Sequence, residues 1–370
     1  MIEWDLRTDS IHGCLLGTAV GDALGLPYEG LSPRRAGRML GPPDRYRFFF
    51  GRGMVSDDTD HAMMTAVALL QSRKQTDAAD GDAGVSPDRL EPFEIGRFEA
   101  VLVKQLKWWL ASIPAGIGLA TLRSILKLWL GWSPANSGVF SAGNGPAMRA
   151  PILGAVIDDI DELKSFVRCS TRMTHSDPKA EYGAIVVAIA THLAVRVPQI
   201  TGQQFLEIVR EHLPSDAAEL LTLLARCVES VSSMQSTQDF ARSLGLQNGV
   251  TGYMYHTVPV CIHAWLSFSN DFESAIRCVI ECGGDADTTA AITGGIVGAA
   301  VGAKKIPAAL AKGLFACTPG PEFVSGMFES RITFPNRVLA DNWCFRFLRN
   351  VFLFLPIVLF HGFRRTLPPY

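Results

Sequence analysis

Two short acidic stretches carry the residue types that could do chemistry together. The first is Ser56-Asp57-Asp58-Thr59-Asp60 and the second is Asp285-Ala286-Asp287-Thr288-Thr289. Each sets carboxylates and hydroxyls where a glycine-bearing loop gives way to an apolar helical run. Ordinary helix starts account for part of this, because Ser, Asp and Thr are favoured N-cap residues and acids in a first turn suit the helix dipole. A cap needs only one side chain, whereas each stretch supplies at least two carboxylates and a hydroxyl. Adjacent anions repel unless protons or a cation compensate. Hard divalent cations take oxygen ligands, so this combination suits magnesium, manganese or calcium. His61, just past the first stretch, reads as a helix-face residue rather than a ligand.

The acids at 57 and 285 are 228 positions apart (285 − 57 = 228), so a shared site requires one compact body that closes on itself. Apolar periodicity predicts helices at 10–25, 58–72, 92–111, 119–130, 178–196, 202–213, 215–232, 257–268, 271–282 and 287–302. No run of alternating strands joined by hairpin turns recurs, and the fold expected is all-α. No composition break divides residues 1–325, so residues 1–330 are expected to form one compact helical domain. The run TTAAITGGIVGAAVGA is rich in glycine, which costs roughly 1 kcal/mol against alanine in a helix. Close helix–helix packing is the expected compensation. The polar segment 75–88 reads as a surface loop.

Composition narrows the function. Hydrophobic residues make up 48% and charged residues 19%, which is globular and slightly rich in apolar groups. Net charge is −2 with no dense Lys/Arg stripe, so stable nucleic-acid binding through phosphate neutralisation is not expected. The eight cysteines form no CxxC pair and no zinc spacing, and several, in apolar helical stretches, read as buried free thiols. The start, MIEWDLRTDS, has no apolar signal core, and a cytoplasmic protein is expected. Residues 331–370 form an apolar and basic extension. Its uncharged core, 351–360, is ten residues long and contains Pro356, too short to span a membrane, which takes about 20. Either it packs on the body, or residues 343–366 make a peripheral membrane contact with Arg346, Arg349, Arg364 and Arg365 near headgroups.

Five segments, taken in order, resemble the ADP-ribosylglycohydrolases, including the dinitrogenase-reductase-activating glycohydrolases. They are GCLLGTAVGDALGLPYEG at 13–30, GMVSDDTDHAM at 53–63, SAGNGPAMRAPILG at 141–154, THSDPKAEYGA at 174–184 and GGDADTTAAITGGIVGA at 283–299. The resemblance spans about residues 10–325. It implies a compact helical fold with a dinuclear metal site between helices, holding two divalent ions, Mg2+ or Mn2+. The implied ligands are Ser56, Asp57, Asp58, Asp285, Asp287 and Thr288, with Asp287 as the bridging carboxylate. The family usually has Thr where Ser56 stands, and Ser keeps the oxygen. Glu29 matches the family's mobile-loop glutamate and joins Asp57, Asp58 and Asp287 as catalytic candidates. Asp22 reads as a residue that caps or braces the first helix.

By the same resemblance Ser141, Gly143, Asn144 and Gly145 line an ADP-ribose site, with backbone N–H groups able to approach a pyrophosphate. His175 either lies beside them or caps the next helix. Some members stack adenine on an aromatic residue at the position of Ala142; here Phe140, Tyr253 or Tyr255 would replace it. In the nitrogenase-activating branch an Asp in the loop near 114–118 meets the target guanidinium. This chain reads Pro114-Ala115-Gly116-Ile117-Gly118 there, leaving Gly116 and Gly118 as borders of the site. The activity implied is release of ADP-ribose from an ADP-ribosylated protein or other acceptor. The rival readings are a non-catalytic ADP-ribose-binding or toxin-neutralising immunity protein, and a metal-dependent phosphoesterase.

Overall fold

The computed structural model describes residues 4–48, 51–73, 93–114, 116–197, 199–315, 326, 343–354, 359 and 362–363. The segment 75–88 and most of the extension from 331 lie outside the described residues. The helices are α1 (Trp4–Gly25), α2 (Pro33–Met39), α3 (Asp57–Gln71), α4 (Ile95–Ala111), α5 (Leu119–Trp129), α6 (Pro134–Ser137), α7 (Ala150–Val156), α8 (Ile160–Arg172) and α9 (Pro178–Arg196). They continue as α10 (Gly202–His212), α11 (Ala218–Ser232), α12 (Thr237–Ser243), α13 (Met254–Ser267), α14 (Phe272–Ile280), α15 (Ala286–Val301), α16 (Ala308–Gly313) and α17 (Trp343–Arg349). Among the described residues no β-strand forms, only isolated bridges between loops. The all-α expectation holds.

The centre is the antiparallel pair α1 and α15. In α1, Gly13, Gly17, Gly21 and Gly25 recur every fourth residue and so lie along one face. A Cβ on Gly13, Gly17, Gly21 or Gly25 would overlap the carbonyl oxygen of Gly298, Gly294, Ala290 or Ala286 respectively. Gly294 and Gly298 in turn face the carbonyls of Gly17 and Gly13. The two backbones therefore touch, which is the packing that the glycine-rich run requires. Helix α15 is buried along nearly its whole length, as an all-round apolar helix must be. This contact fixes the end of α1, and the Glu29 loop after it, against the acidic start of α15.

Around this pair α7, α9, α13 and α14 complete the core, and α3 packs on α1 and α7 with α4 against it. The sequence reading missed α8, an amphipathic helix capped by Asp159, whose side chain accepts from Glu162 N at 2.8 Å. Helix α13 starts three residues earlier than expected and holds Pro259 inside.

Trp343, Arg349 and Asn350 of the tail pack on the body, whereas Phe352, Leu359 and Phe363 are exposed. Trp343 meets Trp108 edge-on at 6.5 Å between ring centroids, and Arg349 is buried in an ion pair with Asp60. This overturns the placing of Arg349 at lipid headgroups; Arg364 and Arg365 lie outside the described residues. No helix among the described residues is long and apolar enough to cross a membrane.

Candidate active site

Helix α3 begins on Ser56, whose Oγ accepts from Asp58 N at 3.3 Å and donates to Asp58 Oδ2 at 3.2 Å. Asp22 fixes this turn from α1: its Oδ2 accepts from Ser56 N at 2.8 Å, Thr59 N at 3.2 Å and Thr59 Oγ1 at 2.5 Å. Asp22 thus braces the start of α3 and not its own helix, a correction to the sequence reading. The two acidic stretches meet directly, since Thr288 Oγ1 donates to Asp58 Oδ2 at 3.3 Å.

The loops converge on Gly284, immediately before Asp285. Gly284 N donates to Leu31 O at 2.8 Å, Gly30 N donates to Gly284 O at 2.6 Å, and Asp285 N donates to Val250 O at 2.8 Å. Gly284 has φ +81°, and a Cβ there would overlap the Val250 carbonyl, so only glycine fits both the conformation and the space. The crossing ties the loops bearing Glu29, Asp285 and Gly252 together. The 141–145 loop joins through Asn144, whose Nδ2 donates to Asp285 Oδ2 at 2.7 Å and Thr257 Oγ1 at 3.0 Å. Asn144 N is bonded to Gly252 O and Gly143 N to Ser141 Oγ. Those two amides are therefore engaged within the protein.

These elements enclose a cavity of about 390 Å³. Glu29, Ser56, Asp57, Asp285, Asp287 and Thr288 form an acidic, hydroxyl-bearing wall. Ser141, Gly143, Asn144, Gly145 and His175 form a second wall, and Gly116 with Gly118 a third. Asp58 sits buried behind the acidic wall. Tyr253, like Asp58, is an expected site residue that does not border the cavity; its OH takes a bond from Lys179 Nζ at 3.0 Å and its backbone bridges Gly143. Of the aromatic residues weighed for stacking, Tyr255 is buried in the core and Phe140, beside Ser141, is 77% exposed. Leu26, Leu119, Ala120, Thr121, Met148 and Gly252 also line the cavity and were not anticipated, having no chemical signature in the sequence.

His175 is a wall residue rather than a cap, because Asp177 caps α9 by accepting from Lys179 N at 2.9 Å. A Cβ on Gly143 or Gly145 would come within 3.2 Å of the His175 ring, so both glycines leave room for it. Thr174 Oγ1 directs its proton to Thr171 O at 3.2 Å and lies 3.0 Å from His175 Nδ1. The imidazole is thus tied to Thr174 through Nδ1, and its Nε2 edge lies toward Gly143. Burial first, and then the nearby Arg149 charge, push His175 down to about 3, so it is neutral at physiological pH. Arg149, wholly buried, holds this region by donating to Ser170 Oγ, Ser170 O and Thr174 Oγ1 at 2.6–2.8 Å. Its guanidinium also contacts His61 Nδ1 at 3.2 Å, and His61 stacks edge-on against Trp109, away from the cavity lining.

The carboxylates are buried together, and repulsion among neighbouring acids raises them further. Burial, then repulsion from Asp57, Asp22 and Asp285, pushes Asp58 well above the usual carboxylate range. Burial, then Glu29, Asp285 and Asp58, does the same to Asp287. Asp57 opens onto the cavity, yet burial on its other sides and the Asp22 charge raise it too. Asp22 is lifted to about 6, chiefly by burial. Asp58 Oδ1 and Asp287 Oδ1 are buried with no hydrogen-bond donor, which in a protein interior calls for an explanation such as an ion. Among the described residues no three His, Cys, Asp or Glu side chains already converge into a closed ligand cluster. The donor set nonetheless fits hard divalent cations: all oxygen, mostly anionic, on two abutting helix starts. Mn2+ at a hundred times its dissociation constant is expected to stabilise the protein by about 2.7 kcal/mol per site. A calorimetric melting temperature that Mn2+ leaves unchanged would count against this ligand set.

An all-α body with an anionic, oxygen-rich cavity at its helix starts defines a class of fold and site. Comparison with known proteins then specifies it. The family model for ADP-ribosylglycohydrolase matches residues 4–330. The chain is 26% identical over 337 residues to ADP-ribosylhydrolase ARH3 of Gallus gallus, covering 80% of this chain and 86% of that one. It is 25% identical over 309 residues to the ADP-ribosyl-[dinitrogen reductase] glycohydrolase of Rhodospirillum rubrum, covering 81% and 88%. A solved structure titled ADP-ribosylglycohydrolase-related protein complex superposes with a TM-score of 0.60 at 24% identity, over 89% of this chain and 100% of that one. The chain belongs to the ADP-ribosylglycohydrolase family.

Proposed function

We propose that this protein hydrolyses the glycosidic bond between ADP-ribose and an acceptor and releases free ADP-ribose, with two divalent cations, Mg2+ or Mn2+, as cofactors. The observation that carries the reading is the joining of two distant acidic stretches into one cavity wall that also holds Glu29 and faces the 141–145 loop. Ser56, Asp57, Asp58, Asp285, Asp287 and Thr288 would hold the ions. The ions would supply Lewis acidity and charge compensation for the distal ribose and the attacking water.

The chain's own groups do the rest. Glu29 takes a proton from water as its oxygen bonds to the anomeric carbon, a role worth roughly 10²–10⁴-fold. The bond from that carbon to the acceptor breaks with its electron pair going to the acceptor atom, which leaves with the proton that Glu29 took from water. The carboxylate-rich wall favours the positive charge that develops on the sugar. Ser141, Gly143, Asn144, Gly145 and the neutral His175 position the nucleotide, with Phe140 the exposed aromatic residue beside them. The loop Pro114–Gly118 contains no acid to meet a guanidinium, so its glycines admit an acceptor other than arginine.

Product analysis tests the reaction class. Free ADP-ribose from an ADP-ribosylated protein is the expected result. AMP or phosphate would point to a phosphoesterase, and tight ADP-ribose binding without turnover to a non-catalytic reader.

A further inference from the structure

Residues 343–350 lie beyond the 4–330 span matched by the family model, yet they reach the body beneath the candidate site. Arg349 is 5% exposed and Asn350 is fully buried. Arg349 Nη2 donates to Asp60 Oδ2 at 2.8 Å and Nη1 to Asp60 Oδ1 at 3.4 Å. Trp109 Nε1, from α4, donates to the same Asp60 Oδ2 at 3.1 Å. Asp60 is therefore committed to the tail, while Asp57 borders the cavity and Asp58 engages Ser56 and Thr288. One residue on, Asn350 Nδ2 donates to Ser112 O at 2.9 Å and lies 3.3 Å from Ser112 Oγ. Ser112 is the C-cap of α4, and the loop that follows it supplies Gly116 and Gly118. Two adjacent tail residues thus grip the first turn of α3 and the end of α4, which carry facing parts of the cavity.

We infer that Arg349 and Asn350 are positioning residues: the C-terminal segment sets the first turn of α3 relative to the 112–118 loop, and through it the affinity of the site for divalent cations. The effect on affinity rests on the metal reading above; the clamp itself does not. Partners one step removed from metal ligands typically change affinity 10–100-fold. Removing Arg349 alone would strand a buried Asp60 charge and threaten the fold. The test therefore pairs Arg349→Met with Asp60→Asn, which removes both charges and leaves the net charge near the ligands unchanged.

Mn2+ affinity by titration calorimetry and backbone hydrogen exchange are measured on wild type, the double variant, Asn350→Ala and Arg349→Lys. The expected result is a folded double variant with Mn2+ binding weakened about 10–100-fold and exchange accelerated at 56–60 and 112–118 together. Arg349→Lys, which keeps a charge facing Asp60, is expected to retain part of the Mn2+ affinity and of the protection from exchange. A folded double variant with wild-type Mn2+ affinity, and faster exchange confined to 343–350, would overturn the inference. Should wild type itself bind no Mn2+, the metal reading fails, and the exchange at the two cavity segments still decides the clamp.

Discussion

Asp287→Asn is expected to lower kcat/KM for ADP-ribose release by about 10³-fold or more while the helical fold persists. The change keeps the side-chain shape and deletes a charge from a buried set in which Asp287 Oδ1 has no donor. Losing an interaction worth about 4 kcal/mol in the transition state corresponds to that factor. In chelator the same variant is expected to be more stable than wild type. A carboxyl whose folded pKa lies above its unfolded value stabilises the protonated protein, and that contribution is lost as pH rises through the folded value. Asp287 is raised well above the usual range, so the variant's stability advantage should grow with pH. The difference between the two proteins is the quantity to follow. Raw slopes mix in His175 and His61, whose pKa values are lowered mainly by burial and whose stability contribution runs the opposite way. Denaturant titrations of both proteins at about pH 5.5 and about pH 8 check this. An advantage that shrinks with pH would show the carboxylate to be compensated within the protein.

Gly17→Ala is expected to destabilise the protein by about 2 kcal/mol or more. Alanine gains roughly 1 kcal/mol in helix propensity over glycine, and at most exposed helix positions that gain would decide the sign. Here the new Cβ would overlap the Gly294 carbonyl and lie 3.1 Å from the Gly298 Cα. Both are backbone atoms of a buried helix that cannot yield as a side chain would. The matched control is Gly37→Ala in α2, where nothing lies within 4 Å of the added Cβ; it is expected to be neutral or stabilising. Because α1 delivers Glu29 and α15 delivers Asp287, Gly17→Ala should also lower activity in the protein that remains folded. Equal effects at Gly17 and Gly37 in chemical denaturation would show that the helices do not meet at backbone distance.

The acidic wall was legible in the sequence because it is written in residue types: surplus carboxylates at two helix starts, and glycines at a density that only close packing explains. Helix α8 was legible too and was missed. Leu163, Phe166, Val167 and Ser170 follow helical spacing behind an Asp159 cap, but the segment is otherwise polar and has no long apolar run. Long-range pairings were not legible. Asp22 braces a helix 34 positions away. Arg349 reaches Asp60 across 289 positions, and an arginine beside apolar residues suits a lipid headgroup as well as a buried carboxylate. Tyr253 has the type that would stack a base, yet Lys179 and the 141–145 loop engage it instead.

The central claim is that the paired acidic stretches hold divalent cations for ADP-ribosyl hydrolysis. Turnover after exhaustive chelation, followed by Mg2+ or Mn2+ restoration, tests it most directly, with Arg-, Ser- and nucleic-acid-linked ADP-ribose as substrates and Asp287→Asn in parallel. Wild type is expected to be inactive when stripped and to recover with one of the two ions, releasing free ADP-ribose, while Asp287→Asn recovers with neither. Undiminished release by the stripped enzyme, or by Asp287→Asn, would contradict the account.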